Sequence, residues 1–162
     1  MIILGIDSGL ERTGYSVFEK KSNGTSNFRY ITSGLIKTSS KKSNEKRLEE
    51  IYSKLTTIFK SYKPSVLIIE RLFFFKNQKT IIQVSQAQGV CLLLASQNDI
   101  PVEYLTPTQI KQTITGYGKA DKKSMQKMIN LTLNNPKKIN QDDEADAIAC
   151  GLAYCFINKN LI

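Results

Sequence analysis

Two short apolar runs, each closed by an acidic residue, constrain the fold of this chain more than any other feature of its sequence. Residues 2–6 are apolar and end at Asp7, and residues 66–69 are apolar and end at Glu70. Continuous apolar runs of this length are typical of strands that helices cover on both faces of a sheet. If the two strands are parallel neighbours, their carboxylates lie side by side where the strands end.

The remaining segments complete a sheet of this kind. The sequence predicts strands at residues 14–18 and 28–37. Together with the strand at residues 2–7, they should form an antiparallel meander. Later segments alternate between helical periodicity and short strands, as in βαβ units with parallel strands. They are helices at 45–62, 78–97, 122–133 and 143–158, a brief helix opened by Thr106 and Pro107, and strands at 65–69 and 101–104. The sequence therefore predicts one α/β domain over residues 1–162, with a five-stranded mixed sheet flanked by helices.

The absence of histidine narrows the chemistry that the chain can perform. It excludes serine–histidine and cysteine–histidine nucleophilic schemes and histidine-ligated zinc or iron. The cysteines Cys91, Cys150 and Cys155 lack the CxxC spacing and lie in apolar helical stretches, so we expect small buried residues in a reducing compartment. A metal site in this chain must use oxygen ligands, which favours magnesium or manganese.

The net charge of +9 favours a polyanionic partner such as nucleic acid. Residues 111–138 carry seven lysines and one aspartate, which predicts a basic surface in that part of the chain. The N-terminus enters a strand without the basic and apolar segments of a secretion signal. No apolar run reaches the ~20 residues needed to cross a bilayer. We therefore expect a cytoplasmic protein that does not enter the membrane.

A second pair of acids near the C-terminus extends the pattern set by Asp7 and Glu70. Asp143 and Asp146 stand three apart at the start of a helical segment, and Asp142 and Asp146 stand four apart. Helical geometry leaves both pairs open as neighbours on one face. Carboxylates gathered within ~4–6 Å raise one another's pKa values unless cations neutralise them. These acids therefore predict a site for divalent metal ions.

Residues 73–75 are three consecutive phenylalanines that follow the acid at Glu70. Placed between a strand and a helix, they cannot all enter one core. We expect at least one ring to face solvent, with Lys76 and Lys79 nearby. Stacking a base on such a ring is worth ~1–3 kcal/mol, which would help to open a paired structure in DNA.

Four segments of the chain carry motifs that occur together in one known family. Residues 5–15 (GIDSGLERTGY) resemble the opening motif of the RuvC-type Holliday junction resolvases, and residues 69–77 (IERLFFFKN) resemble the second acidic motif of that family. Residues 103–122 resemble its lysine-bearing motif, and residues 143–147 (DEADA) its final acidic motif. The motifs occur in the family's order and at compatible spacings over nearly the whole chain.

The resemblance implies a ribonuclease H-like fold and a homodimeric, metal-dependent endonuclease. Such an enzyme cuts two opposed strands of a four-way DNA junction during recombination and repair, in association with a branch-migration helicase. Two Mg²⁺ ions per active site are expected, and Mn²⁺ as a substitute. The implied catalytic metal ligands are Asp7, Glu70, Asp143 and Asp146, so the resemblance selects Asp143 over Asp142.

The resemblance also implies which other side chains act on DNA. Lys111 and Lys122 match the catalytic lysines, and Phe73, with Phe74 beside it, matches the aromatic residue that stacks on an unpaired base at the crossover. Arg71 stands where the family usually has a neutral or acidic residue, and we expect it either to pair with Glu70 or to reach DNA. The basic residues near these motifs that we expect to bind DNA are Arg71, Lys76, Lys79, Lys119 and Lys123.

Three other functions remain open from the sequence. Sugar kinases and actin-like ATPases also begin with a Gly-Ile-Asp-x-Gly turn, but this chain is too short for two lobes and has no second glycine-rich phosphate loop. A ribonuclease H-like nuclease acting on RNA, flaps or transposon ends would share the fold and differ in substrate. A junction-binding module without catalysis is disfavoured because all four acids are present.

Overall fold

A computed structural model describes residues 1–21, 28–72, 78–133, 139 and 141–158, with side chains in all of these except residues 78–80. The predicted strands and helices are present, with boundaries that shift by one or two residues. The strands are β1 (Ile2–Asp7), β2 (Arg12–Lys20), β3 (Phe28–Lys37), β4 (Val66–Glu70) and β5 (Val102–Leu105). The helices are α1 (Asn44–Tyr62), α2 (Gln78–Gln97), α3 (Pro107–Thr115), α4 (Lys122–Leu133) and α5 (Asp142–Ile157).

The five strands form one mixed sheet in the order β3-β2-β1-β4-β5. Strand β2 is antiparallel to both β1 and β3, whereas β4 is parallel to β1 and to β5. This confirms the predicted meander followed by parallel strands. It also makes β1 and β4 neighbours, with Ile6 paired to Ile69 one residue before each strand ends.

Helices cover both faces of the sheet, as the apolar runs predicted. On one face, Ile3 and Ile68 pack with apolar residues of α3, α4 and α5. On the other face, Leu4 and Leu67 pack with apolar residues of α1 and α2. Consecutive residues of β1 and β4 thus alternate between two cores, which is why almost every position in these strands is apolar.

Helix α5 lies unusually close to the sheet because small residues separate them. A Cβ atom added to Gly5 would stand 2.6 Å from the Ala147 carbonyl oxygen, and one added to Gly14 would stand 1.9 Å from the Asp143 carbonyl oxygen. The buried Ser16 hydroxyl donates a 2.7 Å hydrogen bond to the same Ala147 carbonyl. The backbone of α5 therefore rests directly on β1 and β2.

Two further expectations concern the cysteines and the membrane. Cys91, Cys150 and Cys155 are buried and free, which confirms their predicted burial. Within the described ranges, no helix combines the length and the apolar character that spanning a bilayer requires.

Candidate active site

The parallel register of β1 and β4 brings Asp7 and Glu70 to the same end of the sheet. Both residues directly follow the pair formed by Ile6 and Ile69, and both are partly buried. The backbone around Glu70 is held on two sides. Its carbonyl accepts a 3.4 Å hydrogen bond from the Gln88 side chain of α2, and the next amide donates to the Leu105 carbonyl of β5. The two strand-end acids are therefore neighbours on a fixed backbone, as the sequence predicted.

The turn that follows Asp7 is fixed by a chain of polar contacts to α1. Arg47 is buried, and its Nε donates a 2.9 Å hydrogen bond to the Thr38 hydroxyl. That hydroxyl in turn donates to the Leu10 carbonyl at 2.6 Å. Within the turn, Thr13 donates to the Gly9 carbonyl at 2.7 Å. These bonds occupy the turn's polar groups and hold the backbone that leads out of Asp7.

The first turn of α5 brings a second pair of acids to this end of the sheet. The close approach of Gly14 to the Asp143 carbonyl fixes where the helix begins. Glu144 accepts a 2.5 Å hydrogen bond from the Ser33 hydroxyl and so ties the same turn to β3. Asp146 lies one turn further along, between the buried residues Ala145 and Ala147.

Burial and repulsion from neighbouring acids raise the pKa values of Asp7, Glu70 and Asp146. Burial, followed by repulsion from Asp146, Glu70 and Asp143, raises the pKa of Asp7 to about 7. Burial and then repulsion from Asp146 raise the pKa of Glu70 to about 7 as well. Lys122 and Lys111 act in the opposite direction on Asp7 and Glu70 respectively, but they do not cancel these effects.

Asp146 is solvent-accessible but lies in the wall of a pocket. In this concave pocket, protein atoms replace much of the surrounding water. This desolvation is the largest cause that raises its pKa, and Asp142 and Asp143 act in the same direction. The walls of the pocket, formed in part by Ile110, Met125 and Ala149, account for this partial desolvation.

The pocket has a volume of about 280 Å³ and combines acidic and basic side chains. Glu70 and Asp146 line it together with Lys111 of α3 and Lys122 of α4. The predicted lysines thus reach the predicted acids, although all four come from different strands and helices. An opening lined by two carboxylates and two ammonium groups suits a phosphate that is held together with a cation.

Two ion pairs at this site are absent from the sequence-based predictions. Lys122 Nζ stands 2.9 Å from Asp142 Oδ2, and Arg12 Nε stands 3.6 Å from Asp143 Oδ2. The hydrogen bond to Asp142 is the largest cause that raises the pKa of Lys122. The sequence left Asp142 and Asp143 open as alternatives. In the structure Asp142 contacts Lys122, whereas Asp143 contributes to the raised pKa of Asp7.

The four predicted metal ligands do not form a closed metal cage as they stand. Within the described ranges, no group of three or more acidic or cysteine side chains is arranged to hold a metal ion. All four acids are nevertheless oxygen donors, and burial raises the pKa values of Asp7, Glu70 and Asp146 despite the nearby lysines. That donor chemistry fits a hard divalent cation. Direct metal binding by the four acids stays a prediction.

The predicted DNA-binding residues divide into two groups. Arg71, Lys119 and Lys123 are exposed, and no ion pair joins Arg71 to Glu70, although pairing between them was one of two expectations. The others do not have described side chains: Phe73, Phe74 and Lys76 lie outside the described residues, and Lys79 is described only as part of the backbone of α2.

The mixed sheet and its carboxylate cluster define the class of protein. An arrangement of three antiparallel strands followed by parallel ones, with acids where β1 and β4 end, is that of the ribonuclease H-like nucleases. The family model described as "Crossover junction endodeoxyribonuclease RuvC" matches residues 3–155. The chain belongs to this family of metal-dependent nucleases, as its motifs indicated.

Individual relatives agree with the family model along the full chain. The protein of Thermosipho melanesiensis named "Crossover junction endodeoxyribonuclease RuvC" is 47% identical over 96% of this chain and 96% of its own length. The relative of the same name from Caldicellulosiruptor saccharolyticus is 42% identical over 100% of this chain and 96% of its own. The solved structure "T. thermophilus RuvC in complex with Holliday junction substrate" superimposes with a TM-score of 0.89 at 26% identity, covering 98% of this chain and 95% of that one.

Proposed function

We propose that this chain resolves four-way DNA junctions by nicking two opposed strands, with divalent metal ions held by Asp7, Glu70, Asp143 and Asp146. The observation that carries the proposal is that β1 and β4 end side by side at Asp7 and Glu70, where burial and neighbouring carboxylates raise the pKa of each to about 7, and that Glu70 lines the pocket. Strongly perturbed carboxyls in a cleft are characteristic of functional sites. The Thermus thermophilus structure named for its Holliday junction substrate supports the choice of DNA.

The donor set favours Mg²⁺, with Mn²⁺ as a substitute, and we expect two ions in each active site. All four proposed ligands are carboxylates, and the chain has no histidine that would favour zinc. Asp7 and Glu70 would hold the ions from the sheet, and Asp143 and Asp146 from α5. A bound cation would remove the repulsion between these carboxylates and so favour rotation of their side chains toward one another.

When bound, the two metal ions supply an activated water and neutralise the leaving 3′ oxygen of an in-line displacement. The two lysines of the pocket act on the phosphate itself. Lys111 stands beside Glu70, and Lys122 is held at the pocket rim by Asp142. We expect Lys122 to leave Asp142 and to contact a phosphoryl oxygen. There its positive charge would stabilise the negative charge that develops in the transition state.

Paired nicks require two active sites, and we propose a homodimer formed through α2. Ile82 and Leu93 of this helix are 59% and 52% exposed. They stand eleven residues apart, close to three full helical turns, so they share one face. Val90, which also lies in the apolar part of the helix, packs into the core. The proposed dimer contact is therefore the Ile82–Leu93 face, and Leu93→Glu is expected to give monomers in size-exclusion chromatography with light scattering.

Further proposals concern the surroundings of the enzyme. Arg71, Lys119 and Lys123 are expected to contact the DNA backbone, so binding should weaken with salt at a log–log slope of ~0.9 per neutralised phosphate. We also propose that Phe73, Phe74, Lys76 and Lys79 contact DNA. A cytoplasmic location and a branch-migration helicase as partner are expected from family membership.

Cleavage of a labelled four-way junction, compared with plain duplex, tests the proposed function. With Mg²⁺ we expect symmetric nicks in two opposed junction strands and an uncut duplex, and without divalent metal we expect binding alone. Loss of a residue that only hydrogen-bonds to a metal ligand typically reduces activity ~10–100-fold. Asp7→Asn removes a proposed ligand itself, so it should reduce cutting by more than this and should preserve junction binding.

Asp99→Asn provides a matched control for this change. Asp99 lies in the turn after α2 with a φ of 53°, a conformation that asparagine also adopts. It should cut as the unmodified protein does. Normal cutting by Asp7→Asn, or equal cutting of duplex and junction, would contradict the proposed function.

A further inference from the structure

The loop between α3 and α4 is held in one conformation by its own hydrogen bonds. The Gln112 side chain spans it, because its Nε2 donates to the Gly116 carbonyl at 2.7 Å and its Oε1 accepts from the Gly118 amide at 2.9 Å. Gly116 has a φ of 79°, which favours glycine. A Cβ atom on Gly118 would stand 2.8 Å from the Thr108 methyl group, so this side of the loop is closely packed.

Tyr117 stands at the tip of this loop, and its backbone is also fully occupied. Its amide donates a 3.1 Å hydrogen bond to the Thr115 hydroxyl, and its carbonyl accepts a 3.0 Å bond from the Ala120 amide. Ala120 is buried in the core. The loop is therefore anchored on both sides of Tyr117 without any contribution from the tyrosine ring.

Among the described residues, the ring of Tyr117 packs against neither of the two cores. Tyr117 is 61% exposed, which makes it the most exposed aromatic residue in the part of the chain that has described side chains. Five other tyrosines pack against one of the two cores: Tyr15, Tyr30, Tyr52, Tyr62 and Tyr154. A rigidly presented aromatic ring supplies contact area at low entropic cost, which is a property of binding surfaces.

The charge around Tyr117 is complementary to DNA. Lys119 and Lys123 are exposed and lie within six residues of Tyr117 in the sequence. Asp121 is the one acid of this segment, and it caps α4 by accepting a 2.8 Å hydrogen bond from the Ser124 amide. Lys122, five residues beyond Tyr117, lines the active-site pocket. Five residues reach at most ~17 Å, a length of about five base pairs at ~3.4 Å each. One DNA segment can therefore contact both Tyr117 and the pocket.

We propose that Tyr117 is a second base-stacking residue, which contacts an unpaired base of the junction within a few nucleotides of the cleaved phosphate. The inference rests on the proposed function and deepens it. Lysine side chains bind phosphates at any position, whereas an exposed ring binds the flat face of a base. Tyr117 thus adds a preference for opened DNA to a surface that is otherwise attractive to any duplex.

Because the chain contains no tryptophan, a single Tyr117→Trp substitution would report directly on stacking. In the Asp7→Asn protein, which we expect to bind without cutting, its fluorescence should be quenched when a four-way junction is added. Tyr104→Trp is the matched control, since Tyr104 is the other exposed tyrosine and lies on β5. It should show no quenching, and equal quenching at both positions would overturn the proposal.

Affinity measurements separate stacking from charge. Tyr117→Ala should weaken junction binding by about 5- to 100-fold with an unchanged salt slope, whereas Tyr117→Phe should bind as the unmodified protein does. Lys119→Ala should instead lower the salt slope by ~1. Equal binding by Tyr117→Ala and the unmodified protein would overturn this proposal alone. If the Asp7→Asn protein does not bind junctions at all, the proposed function fails and this proposal fails with it.

Discussion

Two acidic regions of this molecule have opposite electrostatic character. On α1, Glu50 accepts hydrogen bonds from Lys42 and Lys54 at 2.8 and 2.6 Å, and these bonds lower its pKa to about 2. At the strand ends, burial and neighbouring acids raise the pKa values of Asp7 and Glu70 to about 7. The residue types are the same, and lysines are near in both places.

The difference lies in how each region uses its lysines. On α1 the lysine partners belong to the same helix or to the turn before it, so each acid is paired and solvated. At the active site Lys111 and Lys122 come from separate helices and face acids that are already desolvated. The comparison shows that negative charge left without compensation, rather than the number of acids, distinguishes a functional site from a soluble surface.

Removing the Asp7 charge should produce the largest effect on stability. A carboxyl whose pKa rises to about 7 on folding is protonated in the folded chain and ionised in the unfolded chain between about pH 4 and 7. Stability without metal therefore falls as pH rises through this window. At pH 8, Asp7→Asn should raise the free energy of unfolding by on the order of 2–4 kcal/mol in urea denaturation with a chelator present.

Glu50→Gln is the matched control from the paired region. Its hydrogen bonds are on the surface, so the change should leave both stability and cutting close to those of the unmodified protein. Added Mg²⁺ should stabilise the unmodified protein and the Glu50 variant, and should stabilise Asp7→Asn much less. Equal pH dependence for Asp7→Asn and the unmodified protein would show that Asp7 is not the uncompensated group.

Gly14→Ala should have an intermediate effect by moving the second pair of acids. The new Cβ atom would stand 1.9 Å from the Asp143 carbonyl, so α5 must shift away from β2. We expect a loss of ~1–3 kcal/mol in stability, the range for overpacking, and cutting that requires a higher Mg²⁺ concentration because two proposed ligands are displaced. Gly89→Ala is the contrasting change, because nothing lies within 4 Å of its added Cβ atom on α2. It should stabilise the protein by up to ~1 kcal/mol. Normal Mg²⁺ dependence in Gly14→Ala would contradict the proposed role of this contact.

Asp142→Asn should have the smallest effect, and it tests which aspartate of α5 serves the site. The ion pair with Lys122 is exposed, so its loss should change the free energy of unfolding by less than ~1 kcal/mol. Cutting should persist, whereas Asp143→Asn should abolish it. Loss of cutting in Asp142→Asn, measured on the same labelled junction, would instead assign the metal-binding role to Asp142.

The fold could be predicted largely from local patterns. The apolar runs before Asp7 and Glu70 identified two buried strands, and the order of strands and helices predicted the mixed sheet. The sequence predicted β2 over residues 14–18 only, which is shorter than the observed strand. Its ends are polar, as at Arg12 and Lys20, and therefore lack the apolar pattern by which a buried strand is recognised. They still pair with β3 along the whole strand.

The site could be predicted only in part. The placement of Asp7 and Glu70 at neighbouring strand ends could be predicted, because each directly follows a local apolar run. The pairings of Arg12 with Asp143 and of Lys122 with Asp142 join residues that are brought together by packing alone. Nothing in the order of residues indicates that Gly14 faces a carbonyl of α5, although this contact sets where the second pair of acids lies.

The position of α5 in the chain has a consequence for biosynthesis. Asp7 is synthesised with the first described strand, whereas Asp143 and Asp146 are synthesised with α5, the last of the described helices. If these acids together hold the metal ions, a chain that ends before α5 carries only two of the four proposed ligands. We therefore expect such a truncated chain to lack metal-dependent cutting.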